Sequence, residues 1–278
     1  MNEKIIQFGL ENNMLGIVSE PENVEHDRPA IMILNSGLIH KVGPYRMGVT
    51  LARSLAEKGF LVFRFDLANI GDSTNYKTQS SYKERTINEI SSAMDVITKR
   101  YKVESFVSIG LCTGAMNSHI IATSDSRVVG AVLLDAYAYP TLKFLINRYS
   151  SKLHKIFHPE IIFRLFKKFL KNKHNSVEAV VQEEIGYWEQ PPKDEISNDL
   201  EKMMSRDIDL LYIYSGGVHY VYNYEDQFRD SFKSVDFNGH LDVYLLSEMD
   251  HTYTLQKDRN QMLSLLMQWI QTKFSNLN

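Results

Sequence analysis

The sequence predicts an α/β fold: a mostly parallel central sheet with helices on both faces, carrying a helical lid insertion. Three observations predict it. Short apolar runs alternate with stretches of helical periodicity through the first half of the chain, the order that builds a parallel sheet wrapped by its crossover helices. The runs are continuously apolar, as strands buried on both faces are. The alternation then lapses over residues 137–206, which are rich in aromatic and basic residues and hold no convincing strand, and resumes afterwards. The domain organisation read from this is a core in two parts, 1–136 and 207–278, with a lid at 137–206 between them.

Residues 5–8 and 15–19 flank Gly9-Leu10-Glu11-Asn12-Asn13 and read as an N-terminal hairpin. A polar loop, 21–29, follows. Residues 30–34, Ala-Ile-Met-Ile-Leu, form a buried strand that ends in a loop containing Gly37. The next helix, about 45–58, stops at Gly59, a suitable C-cap. Strand 60–66 leads into Leu67-Ala68-Asn69-Ile70-Gly71-Asp72-Ser73. Residues 80–101 carry Ile87, Ile90, Met94 and Ile97 at helical spacing. A strand at 106–109, a glycine-flanked turn, a helix and a strand at 128–135 complete the first part. Strands at 210–214 and 241–246 follow the insertion, and a last helix, about 259–273, places Met262, Leu265, Leu266, Trp269 and Ile270 on one face.

Composition narrows the function classes. A hydrophobic fraction of 44% and a charged fraction of 23% suit a globular protein with a sizeable core. A net charge of −3 gives no bias toward nucleic acid or membrane. The single cysteine excludes a disulfide framework within the chain and fits a reducing compartment. The N-terminus lacks a signal-peptide h-region. No apolar segment approaches the ~18 residues of a transmembrane helix. A cytoplasmic protein is expected. There is no Gly-rich phosphate loop, no metal-spaced His or Cys cluster and no basic stripe suited to nucleic acid, so no cofactor or metal is expected.

The turn Gly110-Leu111-Cys112-Thr113-Gly114 lies between a strand and a helix, the setting of a nucleophile elbow. Such a turn strains its central residue, and side chains two positions away on either side would collide with the strand and helix. A thiol exposed at a helix N-terminus is expected to ionise below the free value of about 8.5. The same pentapeptide also suits an inert, buried small hydrophobe. The loops around it decide between these readings.

Open α/β sheets bind ligands beyond the carboxyl ends of their strands, and three loops meet that condition. After strand 30–34, Gly37 permits close backbone approach, and the amides of Leu38 and Thr113 would form an oxyanion hole; an ordinary glycine turn competes with this. After strand 241–246 comes Ser247-Glu248-Met249-Asp250-His251-Thr252-Tyr253, whose His251 is the candidate base. Its neighbour Asp250 is ill placed to orient it, because adjacent side chains diverge. The acid is harder to find. One commonly follows the strand at 210–214, yet Ser215-Gly216-Gly217-Val218-His219 contains none. Asp135 ends the strand after the elbow helix and falls between Cys112 and His251 in chain order. A loop-capping role suits Asp135 almost equally, and Glu225 and Asp226 are alternatives. A Cys–His pair needs the acid less than a Ser–His pair does.

The order of strand, oxyanion loop, Gly110–Gly114 elbow, lid and late Asp250-His251 resembles the α/β-hydrolase superfamily over essentially the whole chain. Asp66-Leu67-Ala68-Asn69-Ile70-Gly71-Asp72-Ser73 is similar to that superfamily's Asp-x-x-Gly-x-Gly-x-Ser turn, with only the second glycine present. Gly110–Ala115, Leu133-Leu134-Asp135-Ala136-Tyr137, Tyr214-Ser215-Gly216-Gly217 and Tyr222-Asn223-Tyr224 look like a bacterial subgroup of serine-aminopeptidase-like hydrolases, with members in surface-polysaccharide and thiotemplated biosynthesis. Two departures stand out. Cys112 replaces the usual serine, as in dienelactone hydrolases and polyester synthases, and the usual acid position is empty. Resemblance to lipases with an acid after the sixth strand supports Asp135.

The resemblance implies an α/β-hydrolase fold and acyl transfer through an acyl-enzyme, with Cys112 as nucleophile, His251 as proton carrier and the Leu38 and Thr113 amides holding the oxyanion. Sulfur attacking a thioester exchanges like for like, whereas an amide has a poor leaving group. Thioester or ester substrates, or transfer to an acceptor other than water, are therefore expected. Residues 148–174 carry eight Lys and Arg against the single acid Glu160, beside apolar residues near helical spacing. A solvated lid helix, a dock for an acidic carrier protein bearing an acyl thioester, and contact with an anionic membrane all fit that stretch. The empty acid position leaves a catalytically silent scaffold, acting as a binding or assembly partner, as the alternative function.

Overall fold

The continuous apolar runs become strands because both faces of the sheet are covered. The computed structural model describes residues 1–74, 80–153 and 190–275. Among them eight strands form one sheet: β1 (Asn2–Phe8), β2 (Met14–Glu20), β3 (Ala30–Ile33), β4 (Val62–Phe65), β5 (Phe106–Leu111), β6 (Val128–Leu134), β7 (Asp209–Ser215) and β8 (Leu241–Leu246), in the order β1-β2-β4-β3-β5-β6-β7-β8. β2 pairs antiparallel with β1 and with β4, and every other neighbouring pair is parallel. The mostly parallel sheet expected from the sequence is present.

Alternate side chains supply two cores. Ile31, Val62, Val107, Ile109, Val132 and Leu211 face one side, where they meet helix α1 (Met47–Glu57) and the last helix. Met32, Phe63, Phe65, Phe106, Leu133 and Tyr212 face the other, against α2 (Tyr82–Tyr101) and α3 (Thr113–Ser124). This period-two division explains why no polar face interrupts the strands. α2 begins at Tyr82, two residues after the expected start at 80, because Ser81 and Glu84 close a capping box: Ser81 N donates to Glu84 Oε2 at 2.9 Å, and Glu84 N to Ser81 Oγ at 3.3 Å.

The interval read as lid contains two described helices, α4 (Leu142–Leu153) and α5 (Lys193–Met204). Ile196, Leu200 and Met203 of α5 are buried in the second core, and α5 packs against α3 as the crossover into β7. Residues 154–189, which hold most of the basic stretch, lie outside the described residues. A short helix α6 (Gln227–Ser231) and the final α7 (Gln256–Phe274) complete the fold. Among the described residues no helix is long and apolar enough to cross a membrane.

Register aligns the strand ends that matter. Leu111 pairs with Leu134, Leu134 with Ile213, and Ser215 with Leu246. The loops that follow β5, β6, β7 and β8 therefore leave one edge of the sheet side by side.

Candidate active site

The turn after β5 has the strain its glycines imply. Cys112 adopts φ 59° and ψ −119°, a conformation costly for a residue with a side chain. Its amide donates to Leu134 O at 2.9 Å, and its carbonyl accepts from Ala115 N at 2.9 Å and Met116 N at 3.2 Å. A Cβ at Gly110 would stand 2.0 Å from the Gly114 backbone, and one at Gly114 would stand 2.6 Å from Asn35 O. Both glycines are sterically obligatory, and the second brings the loop after β3 against the turn. Cys112 is a free thiol of intermediate exposure.

The loop after β8 brings His251 to this turn. Its Nδ1 donates to Asp135 Oδ2 at 2.6 Å. Asp135 holds the His251 imidazole well above its ordinary range, to about 10, with a hydrogen bond to the Cys112 side chain adding to the effect and partial burial opposing it. Asp135 itself follows β6 with φ 50°, and its carboxylate is fully buried. Of the four carboxylates weighed from the sequence, Asp135 is the one bonded to His251. Glu225 and Asp226 precede α6 and make no hydrogen bond to it. Asp250 turns into its own loop, accepting the Thr252 and Thr254 amides at 2.9 Å each.

Ser215 is a neighbour of Asp135 that the sequence reading missed. Its amide donates to Asp135 Oδ1 at 2.6 Å and its hydroxyl to Asp135 Oδ2 at 2.7 Å. Ser215 ends β7, where an acid was sought, and its hydroxyl binds the acid of the adjacent strand. A hydroxyl beside an empty acid position was the available signal. The two glycines after it serve packing. A Cβ on Gly216 would lie 1.9 Å from Ser247 O, and one on Gly217 would lie 2.4 Å from His251 N. A side chain at either position would push the His251 loop away. Ser215→Ala deletes one hydrogen bond to a buried charge, so urea unfolding should register a loss of about 1.5–3 kcal/mol. An unchanged midpoint would show that the bond contributes nothing.

The loop after β3 approaches from the other side. Ile39 N donates to Ser36 O at 3.0 Å, closing a turn around Gly37 (φ 57°) and Leu38. Gly37 N donates to Thr113 Oγ1 at 2.5 Å, so the tip of this loop is tied to the residue after Cys112. The Leu38 amide has no protein acceptor among the described residues. Thr113 opens α3, where a helix amide lacks an acceptor one turn back. His119, on the same helix, is buried and paired with Asp199 at 3.2 Å, a contact within the core. No group of three or more His, Cys, Asp or Glu suited to a metal occurs among the described residues.

Residues 29–153 match the family model of the alpha/beta hydrolase fold. The Pyrococcus furiosus esterase Pf2001 superposes with a TM-score of 0.61 at 16% identity, covering 98% of this chain and 91% of that one. A proline iminopeptidase from Mycobacterium smegmatis superposes with a TM-score of 0.57 at 14% identity, covering 98% of each chain. An alpha-beta serine hydrolase homologue from Coxiella burnetii gives 0.57 at 12% identity, covering 96% of each. At such identities the likeness carries the fold. No curated protein matches the chain in sequence.

Proposed function

We propose that this chain, which has the α/β-hydrolase fold, is a cysteine-dependent acyl hydrolase or acyltransferase acting on a thioester or ester through a covalent acyl-cysteine. The observation that carries the proposal is the His251–Asp135 hydrogen bond at 2.6 Å beside Cys112, which sits at the strained turn between a strand and a helix. The Cys112 thiol gives its proton to His251 as its sulfur attacks the substrate carbonyl carbon, and the carbonyl oxygen takes the negative charge beside the Leu38 and Thr113 amides. Collapse breaks the bond to the leaving thiol or alcohol, which departs with a proton from His251. Water or an acceptor then gives its proton to His251 as it attacks the acyl group, and the Cys112 sulfur is released.

The sulfur sets the substrate preference. An acyl-cysteine is itself a thioester, so its formation from a thioester is nearly balanced and its formation from an amide is uphill. A carrier-protein-bound acyl group, in a cytoplasmic setting, suits this chemistry and the basic stretch of residues 148–174. That stretch lies largely outside the described residues, and the carrier reading rests on its charge alone. The silent-scaffold alternative drew on an empty acid position, and the 2.6 Å contact of Asp135 with His251 supports the enzyme reading over it.

Intact-mass measurement after brief exposure to matched acyl thioesters, esters and anilides tests the proposal. The expected result is a gain equal to the acyl group, fastest with thioester and absent with anilide. No adduct from any substrate, together with saturable binding of a protein partner, would establish the scaffold reading instead.

A further inference from the structure

The loop after β3 is held by a buried ionic clamp. Asp66 follows β4 and is fully buried. Its Oδ1 accepts Asn35 Nδ2 at 2.9 Å and Lys41 N at 2.5 Å. Its Oδ2 accepts Lys41 Nζ at 2.8 Å and Asp72 N at 3.0 Å. A carboxylate offers about four acceptor sites, so Asp66 is saturated. Lys41 is buried too, and Asp72 binds its Nζ from the outer side. Asn35 and Lys41 are the two ends of the loop that carries Gly37 and Leu38, so one carboxylate fixes both ends. Asn35 reaches further, with Oδ1 accepting Leu67 N at 2.8 Å and Nδ2 donating to Ile39 O at 3.0 Å. Gly71 (φ 55°) packs on the clamp, where a Cβ would meet Asp66 Oδ2 at 2.3 Å.

A buried Lys–Asp pair is costly to desolvate and is weak evidence for stability. What this pair fixes is position. The tip of the loop is tied to Thr113, and its ends are tied to Asp66, so the Leu38 amide is held relative to Cys112 from three points. We propose that Asp66 and Lys41 are positioning residues for the amides that bind the oxyanion. This rests on the acyl-transfer reading above and goes beyond it by assigning a role to residues that touch neither substrate nor Cys112.

Two reactions of the same sulfur separate positioning from general damage. Acylation by a thioester develops an oxyanion, whereas alkylation by iodoacetamide does not. In Asp66→Asn and in Lys41→Met, acylation should slow by about 10²-fold, the cost of losing one oxyanion donor, through kcat more than KM. Alkylation should stay within about twofold of the parent, and the exposed, remote Asp95→Asn should alter neither rate. Amide exchange across residues 34–42 should accelerate in both clamp variants. Acylation and alkylation falling together would overturn the proposal, as would unchanged exchange over the loop. Should the parent protein form no acyl-cysteine, the acyl-transfer reading falls, and loop exchange alone then decides whether the clamp positions these amides.

Discussion

Cys112→Ala is expected to take no acyl group in the intact-mass assay and to lose at least about 10³-fold in turnover, since the remaining site can offer only binding and oxyanion stabilisation. Folding should be little changed. Cys112 is half-buried, and its amide and carbonyl bonds are made by the backbone, which alanine preserves. Alanine also accepts the same positive φ no worse than cysteine does. Turnover is therefore tested apart from stability. Cys112→Ser divides the question further. Serine keeps the contact with His251 and retains an attacking atom, so ester cleavage should survive at a reduced rate, while rapid iodoacetamide labelling disappears. Full activity in Cys112→Ala would place the chemistry elsewhere and end the acyl-cysteine proposal.

What the sequence made legible follows from which forces are local. Apolar runs at 30–34, 60–66, 106–109 and 128–135 become β3, β4, β5 and β6 because a strand buried on both faces needs no partner information to be recognised. The elbow is equally local: Gly110 and Gly114 are dictated by contacts within five residues and by Asn35 O. His251 is legible from its place between β8 and α7. The acid was harder because its selection is tertiary. Asp135 reaches His251 only because β6 and β8 flank β7 and because Gly216 and Gly217 let the two loops close. Ser215 and the Asp66–Lys41 clamp were not legible for the same reason. Their partners lie 80 and 25 residues away, and hydrogen bonding between loops leaves no periodic trace. α5 escaped notice because its apolar residues sit in a segment whose aromatic and basic composition suggested a lid, whereas Ile196, Leu200 and Met203 turn inward.

Asp135→Asn should reduce acylation by about 10²- to 10³-fold, short of the ~10⁴-fold that the same change costs a Ser–His–Asp triad. The amide nitrogen would present hydrogens to His251 Nδ1 where the carboxylate accepts one. That favours the imidazole tautomer with its proton on Nε2, which is unable to take a proton from Cys112 or the acceptor. The charge matters as much as the tautomer. The Asp135 carboxylate holds the His251 imidazole well above its ordinary range, to about 10, and the Cys112 side chain assists. Loss of the carboxylate should bring the His251 transition down toward the ordinary histidine range, readable as an imidazole NMR titration. Because the folded-state value lies above the unfolded one, the stabilisation is fully present below about pH 6.5 and is lost as pH rises toward 10. The unfolding midpoint of the parent should therefore exceed that of Asp135→Asn by a margin that is constant at low pH and narrows between those limits. A margin that widens with pH would mean that Asp135 does not act through the histidine charge.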